Sequence, residues 1–156
     1  MSLDILFIHP NASGKIYQDL NKDHSAIEPP IWAGMLANRC RNKKHNVQVL
    51  DCEVLRLDYK HSVNEIINFN PRIACFVVYG QQPSASSQNM EGAIAISKIL
   101  KKTKPEIKIL FVGGHVAALP TETLEKENSV DIIALNEGAY SISNLLEVEN
   151  LDDYTY

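Results

Sequence analysis

Five short apolar runs alternate along this chain with longer amphipathic segments, and this alternation constrains the fold more than any other feature. The runs are short and several are rich in valine and isoleucine, so they predict strands at residues 3–9, 47–51, 72–79, 108–112 and 130–135. The segments between them predict helices at residues 30–43, 62–69, 86–102, 120–126 and 139–147. Such alternation predicts a doubly wound α/β fold, in which right-handed crossovers join a five-stranded parallel sheet with helices on both faces.

Two of the predicted helices carry recognisable start signals. Pro29 and Pro30 lie just before the periodic segment of the first helix, which begins at Ile31. Trp32 and Met35 on that helix are expected to pack against the sheet or, as the alternative, against a neighbouring domain. The third helix has three N-cap candidates, which are Ser84, Ser86 and Ser87. These signals fix where each helix is expected to leave the preceding strand.

Length and charge restrict the class of protein. A chain of 156 residues is expected to form one soluble domain that buries about 68–70% of its unfolded surface without a metal or disulfide. The formal charge of −4, with acids and bases interspersed, gives no field that would hold nucleic acid or an anionic membrane. The longest apolar runs are far shorter than the ~20 residues that a membrane span needs. We therefore expect neither a nucleic-acid partner nor a membrane span.

The three cysteines indicate the compartment. Cys40, Cys52 and Cys75 are odd in number and widely spaced, form no Cys-x-x-Cys pair and follow no secretory signal. They are expected to be reduced thiols that pack as small hydrophobic residues in a cytoplasmic protein.

The ends of four predicted strands carry polar or glycine-rich sequences, and the ligand site is expected there. In an open α/β sheet, ligands bind beyond the carboxyl ends of the strands. Those ends are His9-Pro10-Asn11, Tyr79-Gly80-Gln81-Gln82, Gly113-Gly114-His115 and Asn136-Glu137-Gly138. The glycine pair is the most informative of them, because it leaves bare backbone to which a flat or bulky ligand can approach closely.

An ordered set of segments carries a family resemblance. The segments are Pro29-Pro30-Ile-Trp-Ala-Gly-Met-Leu-Ala37, His45-Asn-Val-Gln-Val-Leu-Asp51, Phe76-Val-Val-Tyr-Gly80, Gly113-Gly114-His115 with Pro120-Thr-Glu122, and Asn136-Glu137-Gly138. In this order they resemble the N-terminal cobalamin-binding domain of radical S-adenosylmethionine enzymes, a group that includes methyltransferases and the anaerobic magnesium-protoporphyrin ester cyclase. The resemblance covers about residues 3–148. It implies a cobalamin-binding domain at residues 1–148, and residues 149–156 are expected to begin a linker to a C-terminal radical S-adenosylmethionine domain.

The resemblance implies where the cofactor binds. In the family the corrin lies over the carboxyl end of the sheet and the nucleotide tail descends beside the strands. It implies the following cofactor-binding residues: Pro10, Asn11, Tyr79, Gly80, Gln81, Gln82, Gly113, Gly114, His115, Glu137 and Gly138. It implies no catalytic residue and no metal ligand in this chain, which is not expected to turn over alone. The [4Fe-4S] cluster and S-adenosylmethionine would belong to the C-terminal domain, and weak self-association through the surface that docks this domain is expected.

Four positions depart from the patterns of cobalamin domains. Placing Gly14 on the glycine of the Asp-x-His-x-x-Gly motif puts His9 at its aspartate and Asn11 at its cobalt-ligating histidine. Val77 or Val78 stands where the family usually has a serine, and Asn136 stands where it usually has a glycine. We therefore expect no protein imidazole below cobalt, unless His9 or His24 turns inward.

Several other classes of protein share parts of this sequence pattern. A flavodoxin-like electron carrier would hold a flavin phosphate with residues 11–16, although that loop offers only Ser13 and Gly14. A phospho-receiver domain would need an aspartate where Val78-Tyr79-Gly80 stands. A metal site joining His9 and His115 lacks a third ligand, residues 12–16 lack the full phosphate-loop pattern, and no Gly-x-Gly-x-x-Gly follows the first strand. The flavin carrier is the main alternative.

Overall fold

A single parallel sheet forms the centre of the molecule. The computed structural model describes residues 3–11, 29–80 and 83–151. Its strands are β1 (Leu3–His9), β2 (Val47–Asp51), β3 (Pro71–Val77), β4 (Lys108–Val112) and β5 (Ile132–Ala134). They lie in the order β2-β1-β3-β4-β5 and every pair is parallel, which confirms the predicted five-stranded parallel sheet.

Helices cover both faces of this sheet. In the described residues they are α1 (Ile31–Asn42), α2 (Tyr59–Phe69), α3 (Pro83–Thr103), α4 (Gly114–Ala118), α5 (Pro120–Lys126) and α6 (Ala139–Leu145). Buried side chains of α1 and α6 pack in one core cluster, and those of α2 and α3 pack in the other. The doubly wound arrangement is therefore confirmed.

The three central strands, β1, β3 and β4, are buried on both faces, which explains why they are nearly continuous apolar runs in the sequence. In β1, Ile5 and Phe7 belong to the cluster with α1 and α6, whereas Leu6 and Ile8 belong to the cluster with α2 and α3. The parallel register aligns the strand ends: His9 pairs with Asp51. The loops that follow the strands consequently meet at one edge, and the strand order reverses between β1 and β3.

The ends of several elements differ from the sequence-based prediction. Strand β3 ends at Val77 instead of residue 79, although the Val78 N–H still donates to the Val112 carbonyl at 2.8 Å. The first and last helices begin or end one or two residues inside their predicted bounds, and β5 spans three residues instead of six. Helix α2 begins at Tyr59 because the Asp58 side chain caps it by accepting the His61 N–H at 2.8 Å. These shifts leave the order of the elements unchanged.

Two further corrections concern α3 and α4. Helix α3 begins at Pro83, so none of the three serines is its N-cap; Ser86 and Ser87 lie inside its first turns, and the side chain of Ser84 lies outside the described residues. Helix α4 was not predicted at all. It occupies Gly114–Ala118, directly after the glycine pair.

The side chains that were expected to be buried divide into two groups. All three cysteines are free and buried, and desolvation raises the pKa of both Cys40 and Cys52 to about 11. For Met35 the prediction of packing against the sheet was wrong, because its side chain is 59% exposed. Among the described helices, none is long and apolar enough to cross a membrane.

Candidate functional site

A buried histidine lies at the end of β1. His9 is 8% exposed, and its Nδ1 lies 3.2 Å from Asp51 Oδ1 while its Nε2 lies 4.0 Å from Glu53 Oε2. The same Asp51 oxygen accepts the backbone N–H groups of Glu53 and Val54, each at 3.1 Å. The carboxylate is thus fixed by the turn that follows β2, and it orients the imidazole ring.

Tyr79 joins three parts of the carboxyl edge. Its ring stacks on Trp32 of α1, with a centroid distance of 4.4 Å and an interplanar angle of 22°. Its hydroxyl donates to the Asn136 carbonyl at 2.7 Å, and its own carbonyl accepts from Asn89 Nδ2 of α3 at 3.0 Å. Burial, and secondarily the charge of Glu137, raise the pKa of the phenol above its usual value.

A cavity opens between the start of α1 and the ends of β1 and β3. Its volume is about 190 Å³, and its lining comprises Pro29, Pro30, Ile31, Trp32, Ala33 and Met35 on one side and His9, Val77, Tyr79 and Gly80 on the other. The rim is apolar because Ile31 is 57% exposed and Met35 59% exposed. The cavity therefore lies at the switch point, where ligands bind in open α/β sheets.

The two glycines after β4 have different surroundings. A Cβ atom on Gly113 would lie 2.6 Å from the Val78 carbonyl oxygen, so Val78 already fills the space that this glycine leaves. A Cβ atom on Gly114 would meet only Ser86, at 3.7 Å or more. Gly113 is thus required by the packing of this chain itself, whereas space remains beside Gly114.

Ser86 links the loops that follow β3 and β4. Its buried hydroxyl donates to the Val78 carbonyl and accepts the backbone N–H of His115 at 3.0 Å. The His115 ring in turn has its Nδ1 3.0 Å from the Ser87 hydroxyl oxygen. Helix α3 therefore supplies the hydrogen-bond acceptor at the start of α4.

The turn after β5 has left-handed backbone at two positions. Asn136 has φ +55° and Gly138 has φ +72°. Asparagine is among the few side-chain-bearing residues that adopt this conformation readily, which explains how it can stand where the family usually has glycine. At Gly138 a Cβ atom would lie 2.7 Å from Val112 Cγ2, so this position also lacks room for a side chain.

The structure brings most of the predicted site residues to the same edge of the sheet. Those that lie in the loops or helix starts after the strands are Pro10, Asn11, Tyr79, Gly80, Gly113, Gly114, His115, Glu137 and Gly138. The side chain of Asn11 donates to the Leu57 carbonyl at 3.2 Å. Gln81 and Gln82 lie outside the described residues.

Sequence reasoning missed Trp32 and Ser86 as members of this edge. The position of Trp32 directly after two prolines, at a helix start that faces the strand ends, was the available signal. A second groove of about 700 Å³ follows the free edge of β5, between α5 and α6. Within the described part of the chain, no three His, Cys, Asp or Glu side chains lie close enough together to hold a metal ion.

The known proteins to which this chain is similar are longer than the chain itself. The chain is 24% identical over 119 residues to an uncharacterized methyltransferase of Pyrococcus horikoshii, PH0819; the match covers 76% of this chain and 24% of that protein. It therefore spans about a quarter of the length of this curated relative.

Two solved structures share the fold. The radical S-adenosylmethionine methyltransferase TsrM from Kitasatospora setae, with cobalamin and a [4Fe-4S] cluster bound, superimposes with a TM-score of 0.65 at 17% identity, over 94% of this chain and 26% of that one. The cobalamin-dependent S-adenosylmethionine radical enzyme OxsB, with aqua-cobalamin and S-adenosylmethionine bound, gives 0.66 at 14% identity, over 94% and 18%. A family model described as "B12 binding domain" matches residues 22–146 of this chain. This chain therefore belongs to the B12 binding domain family.

Proposed function

We propose that this chain is the cobalamin-binding module of a larger radical S-adenosylmethionine enzyme. One observation carries the proposal: in a member of the B12 binding domain family, the polar and glycine-rich loops after four parallel strands converge on the edge that contains the β1/β3 switch point. The proposed cofactor-binding residues are Trp32 and those that the resemblance implies, namely Pro10, Asn11, Tyr79, Gly80, Gln81, Gln82, Gly113, Gly114, His115, Glu137 and Gly138.

The surfaces at this edge fit a large, flat and partly apolar ligand. Ile31 and Met35 beside the cavity, and Leu135 after β5, are all exposed apolar side chains that such a ligand would cover. The 190 Å³ cavity is far smaller than a corrin macrocycle, so the ring would lie on the rim and only a smaller group could enter. When bound, cobalamin would supply methyl-group or electron transfer, while this chain supplies position and electrostatics.

The remainder of the enzyme is part of the same proposal. This chain covers only 18% to 26% of the proteins with which it aligns, and TsrM and OxsB combine cobalamin with S-adenosylmethionine chemistry. A radical S-adenosylmethionine domain of the same polypeptide would hold the [4Fe-4S] cluster and S-adenosylmethionine. Methyl transfer or cyclase-type chemistry would be the activity of that whole enzyme.

The decisive experiment compares two cofactors on the isolated chain. Hydroxocobalamin and flavin mononucleotide are each incubated with the protein, and the absorption spectrum is recorded after gel filtration. We expect near-stoichiometric corrinoid and no flavin to elute with the chain. Flavin is the informative comparison because flavodoxins share the strand order 2-1-3-4-5 and bind at the same switch point. Retention of flavin without corrinoid would refute the proposal.

The coordination of cobalt gives a separate prediction. Asn11 stands at the position of the ligating histidine, its amide donates to the Leu57 carbonyl, and an amide is a poor donor to cobalt compared with imidazole. His9 Nδ1 is directed at Asp51. We expect the electron paramagnetic resonance spectrum of the cobalt(II) form to lack the triplet splitting that one coordinated nitrogen produces.

The matched variants for this measurement are His9→Ala and His24→Ala, which remove the two imidazoles that could turn inward. Neither variant should change the cobalt(II) spectrum. Triplet splitting in the wild-type chain that disappears in either variant would show that this chain supplies an axial ligand.

A further inference from the structure

The Tyr79 hydroxyl links the loop after β3 to the loop after β5. Tyr79 follows β3 and Asn136 follows β5, and β4 lies between these two strands in the sheet. Neighbouring strands lie about 4.8 Å apart, so the hydrogen bond of 2.7 Å from the Tyr79 hydroxyl to the Asn136 carbonyl closes a gap of about two strand spacings. The glycine pair, Gly113 and Gly114, follows β4, the strand that lies between β3 and β5 in the sheet.

Both ends of this bridge are anchored. The Tyr79 ring is stacked on Trp32, and the Tyr79 carbonyl is held by Asn89. At the other end, the left-handed backbone of Asn136 directs its carbonyl toward the hydroxyl within a tight turn closed by the Gly138 N–H and the Leu135 carbonyl at 3.2 Å. A phenol is protonated at neutral pH, and burial raises the pKa of Tyr79 further, so its hydroxyl remains a hydrogen-bond donor.

We infer that Tyr79 is a strap that closes the glycine end of the site in the ligand-free chain, and that cobalamin binds only after the Tyr79 hydroxyl leaves Asn136. The inference rests on the proposed function, because it takes cobalamin as the ligand. The strap is weak because its hydrogen bond to Asn136 is exposed to solvent. The stack of the Tyr79 ring on Trp32 of α1 can persist when the hydroxyl is released. Tyr79 would thus set how fast the cofactor enters.

The test uses a variant that removes the hydroxyl and keeps the ring. In Tyr79→Phe, stopped-flow absorbance with hydroxocobalamin should show association about two- to tenfold faster than in the wild-type chain, because a net hydrogen bond of ordinary strength no longer holds the closed form. The equilibrium dissociation constant should fall by the same factor. Tyr140→Phe is the matched control, since Tyr140 is an exposed tyrosine of α6 whose ring packs under Arg39, and its rate should equal that of the wild type.

A second measurement needs no cobalamin. Hydrogen–deuterium exchange of the Gly138 amide in the ligand-free chain should be about two- to tenfold faster in Tyr79→Phe, and unchanged in Tyr140→Phe. Unchanged exchange and unchanged association would overturn the strap. Weaker cobalamin binding by Tyr79→Phe would also overturn it, because the hydroxyl would then be a contact of the bound cofactor. A wild-type chain that binds no cobalamin would refute the proposed function, while faster exchange in the variant would still establish the closed contact.

Discussion

Replacing Gly113 with alanine is expected to lower the free energy of unfolding by about 3 kcal/mol, at the upper end of the usual cost of overpacking. The new Cβ atom would lie 2.6 Å from the Val78 carbonyl oxygen and 2.7 Å from its carbonyl carbon. Both are backbone atoms of Val78, and the N–H of this residue donates to the Val112 carbonyl of the neighbouring strand. They therefore cannot move aside without distorting the end of β3. The midpoint of thermal unfolding should fall by about 6–12 °C.

Gly114→Ala is the matched control for this change. Its Cβ atom would lie at an ordinary contact distance of 3.7 Å from Ser86 Oγ, so the free energy of unfolding should stay within about 0.5 kcal/mol of the wild type. Urea titrations followed by circular dichroism measure both variants. Equal stability of the Gly113 and Gly114 variants would mean that the close approach between Val78 and Gly113 is not a constraint on the folded chain.

Gly114→Leu is expected to weaken cobalamin binding by about 100-fold, which corresponds to roughly 2.7 kcal/mol. The resemblance places this glycine against the nucleotide tail, and a leucine side chain would fill space that the tail needs. The fold should survive, because the Cβ position is open and leucine is a better helix former than glycine at the start of α4. Equilibrium dialysis with hydroxocobalamin measures the affinity.

Gly34→Leu provides the comparison for this second change. Gly34 lies on the exposed face of α1, where a Cβ atom would meet nothing within 4 Å, and it does not line the cavity. The same substitution there should leave the affinity within about twofold of the wild type, since Gly34 does not line the cavity and a Cβ atom there meets no other atom of the chain. If Gly114→Leu also retains full affinity, the cofactor does not pass beside Gly114.

The fold class was predictable because its determinants are local. Strands that are buried on both faces need uninterrupted apolar runs, and this requirement is visible in β1 and β3. The end of β3 was not predictable, because the apolar run continues through Val78 to Tyr79 while the Tyr79 side chain turns away to Trp32 and Asn136. Helix α4 is five residues long and begins with glycine, so it carries no periodic signal.

The location of the site was predictable from topology, but its contacts were not. Parallel strands bring their carboxyl ends together, so the loops after them meet whatever their sequences are. In contrast, the hydroxyl of Ser86 reaches a backbone N–H that lies 29 residues further along the chain. A serine at a helix start favours a local cap in the sequence, and only the packing of α3 against α4 redirects it.

The aromatic stack has an optical consequence. Trp32 is the only tryptophan in the chain, so all of the indole emission comes from one ring at the mouth of the cavity. That ring lies 4.4 Å from the ring of Tyr79, and a change in their separation alters the surroundings of the emitter. The intrinsic fluorescence of the unlabelled protein is therefore a site-specific signal. It can be used to screen both coloured and colourless ligands for binding at this edge of the sheet.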